Sequence, residues 1–323
     1  MELKAGVIGC GLMGDIHSEC LKNIDGMKMK AFCDTNIKNA ENLCKKYDGE
    51  YFTDDYLRLL KDDSLDAIYI CTYHDTHTFL ALKCCEYKKN VFIEKPLALN
   101  LEEIYKIGNE VDKTNIYFMV GLKARFYPLV KKAKELVKKP ILTIGQLLDE
   151  KWDDTFWANH PTMGGGNVMS QGCHIMDLVY YMNESEPKTI FATGGNFNHP
   201  KLDIIDNIIT NIEFDSGAIA SVTIGDSGIN PLVSKFSLQI FDGINSIHLF
   251  NRMKSGLFVE NKKETKYEDP EEFAFIEENK HFVYCLKNKI KPNVTWIDGL
   301  RTTAMILKSF ESIKSKKPID FNL

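Results

Sequence analysis

The chain has 323 residues, 44% hydrophobic and 26% charged, with 40 basic against 45 acidic side chains and a net charge of −5. That length exceeds what one core usually supports and the composition is that of a globular protein, so disorder and collagen-like structure are excluded and two domains are expected. The acidic balance leaves no basic field for nucleic acid, no apolar run is long enough to cross a bilayer, and an apolar strand beginning at Leu3 leaves no room for a signal peptide, so a cytoplasmic location is expected.

Short apolar runs alternate with amphipathic segments through the first third, the pattern of βαβ units around a parallel sheet. Strands are expected at 3–8, 27–33, 67–71, 90–93 and 116–120, with a weaker one near 50–52. Helical periodicity fills the intervals at 12–23, 38–47, 55–61, 76–87 and 101–113. Asn100 and Glu103 stand in capping-box spacing ahead of the last helix. Beyond Gly121 the strands change character: Phe236, Leu238 and Ile240 alternate with Lys235, Ser237 and Gln239, and 218–224 behaves similarly. Such alternation belongs to an antiparallel sheet with one face on helices. The other face, carrying Asn211, Glu213, Ser221 and Thr223, is open to water, substrate or a second subunit. The expected fold is therefore α/β in two domains, a Rossmann parallel sheet over 1–121 and an α/β domain with an antiparallel sheet over 122–323. Nine cysteines without a C-x-x-C pair or zinc-type spacing read as reduced core residues, and no metal site is expected.

The chemistry begins where the first strand ends. Gly9-Cys10-Gly11-Leu12-Met13-Gly14 has the G-x-G-x-x-G form between a strand and a helix, the context that a dinucleotide fingerprint requires. Gly9 permits the tight turn, Gly11 lets the backbone approach a pyrophosphate, and Gly14 allows helix to pack closely on strand. The helix N-terminus then offers free N–H groups and a positive dipole end to the phosphates. Asp34, twenty residues after Gly14, completes the fingerprint as acceptor for ribose hydroxyls, with Thr35 beside it. A carboxylate there repels a 2′-phosphate, so NAD is expected over NADP; Lys38 is the nearest basic residue that softens this preference.

Four further segments carry a family likeness. Glu94-Lys95-Pro96 stands at the carboxyl end of the expected fifth strand, where open α/β sheets bind ligands. Cys71-Thr72-Tyr73-His74-Asp75-Thr76-His77 has the form T-P-x-x-x-H with Tyr73 in place of Pro. Arg125-Phe126-Tyr127-Pro128 matches R-F-x-P, and Gly164-Gly165-Gly166 through His174 to Asp177 has a glycine-rich entry into a helix. Together these resemble the Gfo/Idh/MocA family of sugar and cyclitol oxidoreductases. The resemblance implies a Rossmann domain joined to an α/β domain with a large open antiparallel sheet, closing helices after Glu271, bound NAD or NADP, and a homodimer or homotetramer formed through that sheet. It places Thr72, Tyr73, His77 and Glu94 in the cofactor pocket. In the inositol dehydrogenase branch an Asp precedes the His by four residues, whereas Ser170 stands here, which argues against inositol specificity.

Removing hydride from a secondary alcohol needs the carbon to face the nicotinamide while a group accepts the hydroxyl proton. Lys95 suits the stabilisation of developing negative charge, and His174 suits proton acceptance because an ordinary imidazole titrates near pH 6.5. Helical spacing sets Ser170, His174 and Asp177 along one face, with Asp177 placed to orient the imidazole. Arg125, one of four arginines, is open to two roles, a ligand clamp or a structural ion pair. Trp152 and Trp157, in the segment 152–160, combine aromatic faces with polar neighbours as a polyol site would, or else anchor a loop. The expected activity is hydride transfer between NAD and a secondary hydroxyl of a sugar, sugar derivative or cyclitol. The alternatives are a non-catalytic NAD-binding regulator and an NAD-dependent glycosidase.

Overall fold

A computed structural model of the chain describes residues 2–230, 235–269 and 274–323. Its elements run β1 (Leu3–Ile8), α1 (Leu12–Lys22), β2 (Met27–Cys33), α2 (Ile37–Lys46), β3 (Tyr51–Thr53), α3 (Tyr56–Leu60), β4 (Ala67–Ile70), α4 (His77–Glu86), β5 (Asn90–Ile93), α5 (Leu101–Thr114) and β6 (Phe118–Val120). They continue with α6 (Pro128–Leu136), β7 (Leu142–Glu150), α7 (Gly166–Ser170), α8 (Gly172–Asn183), β8 (Pro187–Gly195), β9 (Asn207–Phe214), β10 (Ile219–Gly228) and β11 (Phe236–Phe241). Last come β12 (Ser246–Phe250), β13 (Ser255–Glu260), β14 (Lys263–Glu268), α9 (Ala274–Asn288), α10 (Trp296–Ser315) and β15 (Ile319–Asp320). Glu271, the expected start of the closing helices, lies outside the described residues.

Strands β1 to β6 form one parallel sheet in the order β3-β2-β1-β4-β5-β6. Their near-continuous apolar character follows from burial on both faces: Ala67 to Ile70 and Val91 to Ile93 are all buried. The strand order reverses direction at β1 and β4, the switch point of a doubly wound sheet, and the glycine loop and the residues after β4 and β5 all lie at that carboxyl edge. Helix α5 starts as its sequence requires, with the Asn100 side chain accepting from the Glu103 N–H at 3.0 Å. The return half of the capping box is replaced, because the Glu103 carboxylate accepts instead from the Thr78 hydroxyl at 3.2 Å.

Two compact units divide the chain: Met1–Leu122 with Phe275–Leu300, and Lys123–Ala274 with Arg301–Leu323. The segment Phe275–Leu300 thus rejoins the parallel sheet across a gap of about half the chain, and apolar contact explains why. Phe282 is fully buried and sets its ring 5.8 Å from both Tyr69 and Phe92. Trp296 covers Gly108 of α5 so closely that a Cβ there would stand 2.5 Å from the indole. Burying one such aromatic side chain stabilises by roughly 1.5–3 kcal/mol.

The second unit is built on a nine-stranded sheet, β14-β13-β12-β11-β7-β10-β9-β8-β15, antiparallel at every junction except β7 with β10, which is parallel. One face packs on helices: Gly145 of β7 lies under Ile175 of α8, and the Thr210 hydroxyl donates to Ser309 of α10 at 3.1 Å. The opposite face is open and partly apolar. Register sets Ser221 beside Ile144 and Asn211, and Asn211 beside Phe191, so these side chains share that face. Among the described residues no helix is long and apolar enough to cross a membrane.

Candidate active site

The nucleotide half belongs to the first unit. Gly9 adopts φ +94°, and a Cβ there would lie 2.6 Å from the Cys71 backbone, so glycine is required. At Gly14 a Cβ would stand 2.1 Å from the Gly9 carbonyl oxygen, which is the close packing of α1 on β1 expected from the third glycine. Gly11, at the N-cap of α1, is different: a Cβ would meet nothing within 4 Å. A side chain would fill that open space, so the loop has the cradle that a pyrophosphate over the α1 N-terminus needs. The Asp34 carboxylate is tied to the same loop, accepting from the Cys10 N–H at 2.8 Å and from the Asn36 N–H at 2.8 Å. Leu12, Thr35 and Tyr73 are exposed, and Met13 and Thr72 half-buried, around this edge.

Lys95 is half-buried, two residues beyond β5 and before a cis peptide bond to Pro96. Glu94 is buried, its Oε1 at 2.9 Å from His17 Nε2 and its Oε2 accepting from the Lys95 N–H at 3.1 Å. His77, expected in the cofactor pocket, is fully buried with Nδ1 2.9 Å from the Pro96 carbonyl and Nε2 3.2 Å from that of Thr72. Burial lowers its pKa despite those carbonyls, and its ring lies between the loop after β4 and the Pro96 turn.

The second unit carries the other candidates. Arg125, in the turn Lys123–Phe126, donates to Asp177 through Nε at 2.9 Å and a terminal nitrogen at 2.6 Å, and both residues are buried. The ion pair is one of the two roles open to Arg125, and both oxygens of Asp177 face the guanidinium. The expected continuous helix through Ser170, His174 and Asp177 is interrupted, since α7 ends at Ser170 and α8 starts at Gly172. The interruption is at Gln171, and Gly172, the first residue of α8, lies against Ile224 of β10, where a Cβ would be 2.9 Å from the side chain. His174 and Ser170 are both buried. Trp152 and Trp157 are half-buried and flank Phe156, which is 40% exposed, with ring centroids 5.2 and 5.7 Å away.

Two family models match the chain, an oxidoreductase family with an NAD-binding Rossmann fold over residues 3–122 and a GFO/IDH/MocA C-terminal domain over residues 142–229. The chain belongs to the Gfo/Idh/MocA family. Among relatives of this Gfo/Idh/MocA protein, the uncharacterized oxidoreductase YrbE of Bacillus subtilis (strain 168) is 30% identical over 226 residues, 68% of this chain and 66% of its own. The scyllo-inositol 2-dehydrogenase (NAD(+)) of the same organism is 26% identical over 337 residues, 100% of this chain and 97% of its own. Levoglucosan dehydrogenase, solved in complex with NADH and levoglucosan, shares the fold with a TM-score of 0.92 at 19% identity, covering 99% of each chain. The protein is accordingly an NAD-binding oxidoreductase of this family.

Three polar arrangements in this Gfo/Idh/MocA chain escape sequence reasoning. His17 is a helix residue whose partner Glu94 lies 77 positions away. Asp177 finds Arg125 across 52 positions. His199 is fully buried between two carboxylates, Nδ1 at 2.7 Å from Asp154 and Nε2 at 2.6 Å from Asp226. Burial lowers its pKa, but the two hydrogen-bonded aspartates outweigh that and raise it. No local pattern marks any of these pairings.

Proposed function

We propose that the protein oxidises a secondary hydroxyl of a cyclic polyol, sugar or sugar derivative, with NAD as the acceptor. The observation that carries the reading is the carboxyl edge of the parallel sheet. There an open glycine cradle, an Asp34 carboxylate hydrogen-bonded to that cradle, and Lys95 two residues past β5 stand beyond the carboxyl ends of β1, β2 and β5. Gly9, Gly11, Leu12, Met13 and Gly14 would hold the pyrophosphate, and Asp34 with Thr35 the adenosine ribose, with Thr72, Tyr73 and the Glu94–Lys95 backbone along the rest of the edge. Bound NAD supplies a hydride acceptor at its nicotinamide ring.

Lys95 holds the substrate hydroxyl and stabilises its developing negative charge, and His174 takes the proton. Trp152 and Trp157 give apolar faces to the carbon side of a sugar ring, and Ser170 a hydroxyl. The Asn167 amide, fully buried with neither polar atom bonded among the described residues, supplies a donor and an acceptor of the kind that a polyol takes. Arg125 and Asp177 support this region as a buried pair. The open face of the nine-stranded sheet, where Ile144, Phe191, Ile209 and Ile219 are 38–51% exposed, supports assembly as a homodimer or homotetramer.

Purified protein screened with NAD against inositols, hexoses, uronic acids and anhydrosugars tests the reading. Formation of reduced cofactor with at least one of these is expected. Cleavage of a glycoside with no net reduced cofactor would instead establish the glycosidase.

A further inference from the structure

His17 sits on α1 one turn beyond Gly14, on the helix whose N-terminus faces the pyrophosphate cradle, and it is fully buried. The Asn279 amide nitrogen lies 3.0 Å from His17 Nδ1 and also donates to the Phe275 carbonyl at 2.8 Å. That second bond fixes the amide's orientation, since its oxygen cannot face a carbonyl. Nδ1 is therefore an acceptor and the ring proton is on Nε2, which donates to Glu94 Oε1 at 2.9 Å. The other Glu94 oxygen accepts from the Lys95 backbone N–H at 3.1 Å. The chain of bonds runs Asn279 to His17 to Glu94 to the peptide that carries Lys95. Packing holds the ring as well, with Phe92 at 4.8 Å and Tyr69 at 5.8 Å from its centroid.

We infer that His17 is a positioning residue, which sets Lys95 through Glu94 and so couples the pyrophosphate-binding helix to the group that holds the substrate hydroxyl. The inference rests on the catalytic reading of Lys95. A buried carboxylate with one rigid donor on each oxygen has one orientation, and the backbone of Lys95 inherits it. Misplacement of a reacting group by an ångström costs up to about a hundredfold in rate, so a hydrogen bond outside the site has leverage on turnover. Substrate binding by groups elsewhere is spared, so the effect belongs on kcat more than on KM.

The test uses the full chain saturated with NAD and four variants, Lys95→Met among them. His17→Leu removes the donor at similar volume, and His17→Gln restores an N–H donor. Glu94→Gln keeps an oxygen for His17 but turns an amide N–H toward the Lys95 N–H. Lys95 acetylation by acetic anhydride is followed by peptide mass spectrometry, alongside NAD affinity and turnover of a polyol that reduces NAD. His17→Leu and Glu94→Gln should change the Lys95 acetylation rate by about threefold or more and lower kcat about tenfold, with NAD affinity within about threefold. His17→Gln should recover most of both. Unchanged acetylation and kcat in a folded His17→Leu would overturn the inference. If that variant does not fold, unchanged values in Glu94→Gln would do so. Full turnover by Lys95→Met would remove the catalytic reading of Lys95, while the acetylation rates would still decide whether His17 positions it.

Discussion

Arg125 and Asp177 face each other in a bidentate pair at 2.9 and 2.6 Å, with 9% and 0% of their side chains exposed. The pair fastens the Lys123–Phe126 turn to α8, the helix that carries His174. Removing one member leaves the other charge buried, a loss of about 3–5 kcal/mol, whereas replacing both with apolar residues is far milder. Asp177→Asn should therefore lower the denaturant midpoint strongly, and Arg125→Met with Asp177→Leu should recover most of it. Equal midpoints for Asp177→Asn and the parent would show that the pair carries no such weight.

In the proposed reading, cofactor choice rests on Asp34. Its carboxylate is held by the Cys10 and Asn36 N–H groups, so it cannot swing from a 2′-phosphate without breaking them. Asp34→Ala should cut the preference for NAD over NADP by about tenfold, equivalent to about 1.4 kcal/mol, as read by titration with both. Equal or tighter NADP binding by the parent would contradict the assignment and turn attention to Lys38.

His174→Ala should lower turnover by about a hundredfold and alter the pH–rate profile, the range for loss of a general base. NAD affinity should stay within about threefold, because the imidazole acts on the substrate proton. A variant with parental turnover and pH dependence would take His174 out of the mechanism.

His199 makes stability pH-dependent. Its pKa is raised in the fold, so its contribution is fully present below the unfolded value near 6.5 and is lost as pH rises through the higher folded value. The groups facing it are Asp154, Asp226 and Asp206, which accepts from its backbone N–H at 3.0 Å, with Lys151 3.8 Å from Asp154. Between about pH 6 and pH 9 the parent should lose more of its Tm than His199→Gln. Parallel Tm curves for the two proteins would refute this.

The elements of the parallel sheet were legible because their signals are local. β1, β2 and β5 coincide with the expected strands, and the Asn100 cap, the three glycines and Asp34 follow from short-range chemistry. What escaped is what depends on distance in sequence. The interruption at Gln171 between α7 and α8 leaves the side-chain periodicity of 170–177 unchanged, so the segment read as one helix. The return of Phe275–Leu300 depends on Phe282 meeting Tyr69 and Phe92, and the burial of His17 on a carboxylate that follows another strand. Side chains paired across tens of residues leave no periodic trace.

The central claim is hydride transfer from a carbon bearing a secondary hydroxyl to NAD, and an isotope measures it directly. A polyol found active with NAD is prepared with deuterium at its hydroxyl-bearing carbons, and the cofactor and sugar products are analysed by mass spectrometry after turnover by the parent and by Lys95→Met. The account predicts reduced cofactor carrying deuterium in proportion to ketone formed, and nearly complete loss of both in Lys95→Met with NAD affinity retained. Reduced cofactor without deuterium, or full deuterium transfer by Lys95→Met, would contradict it.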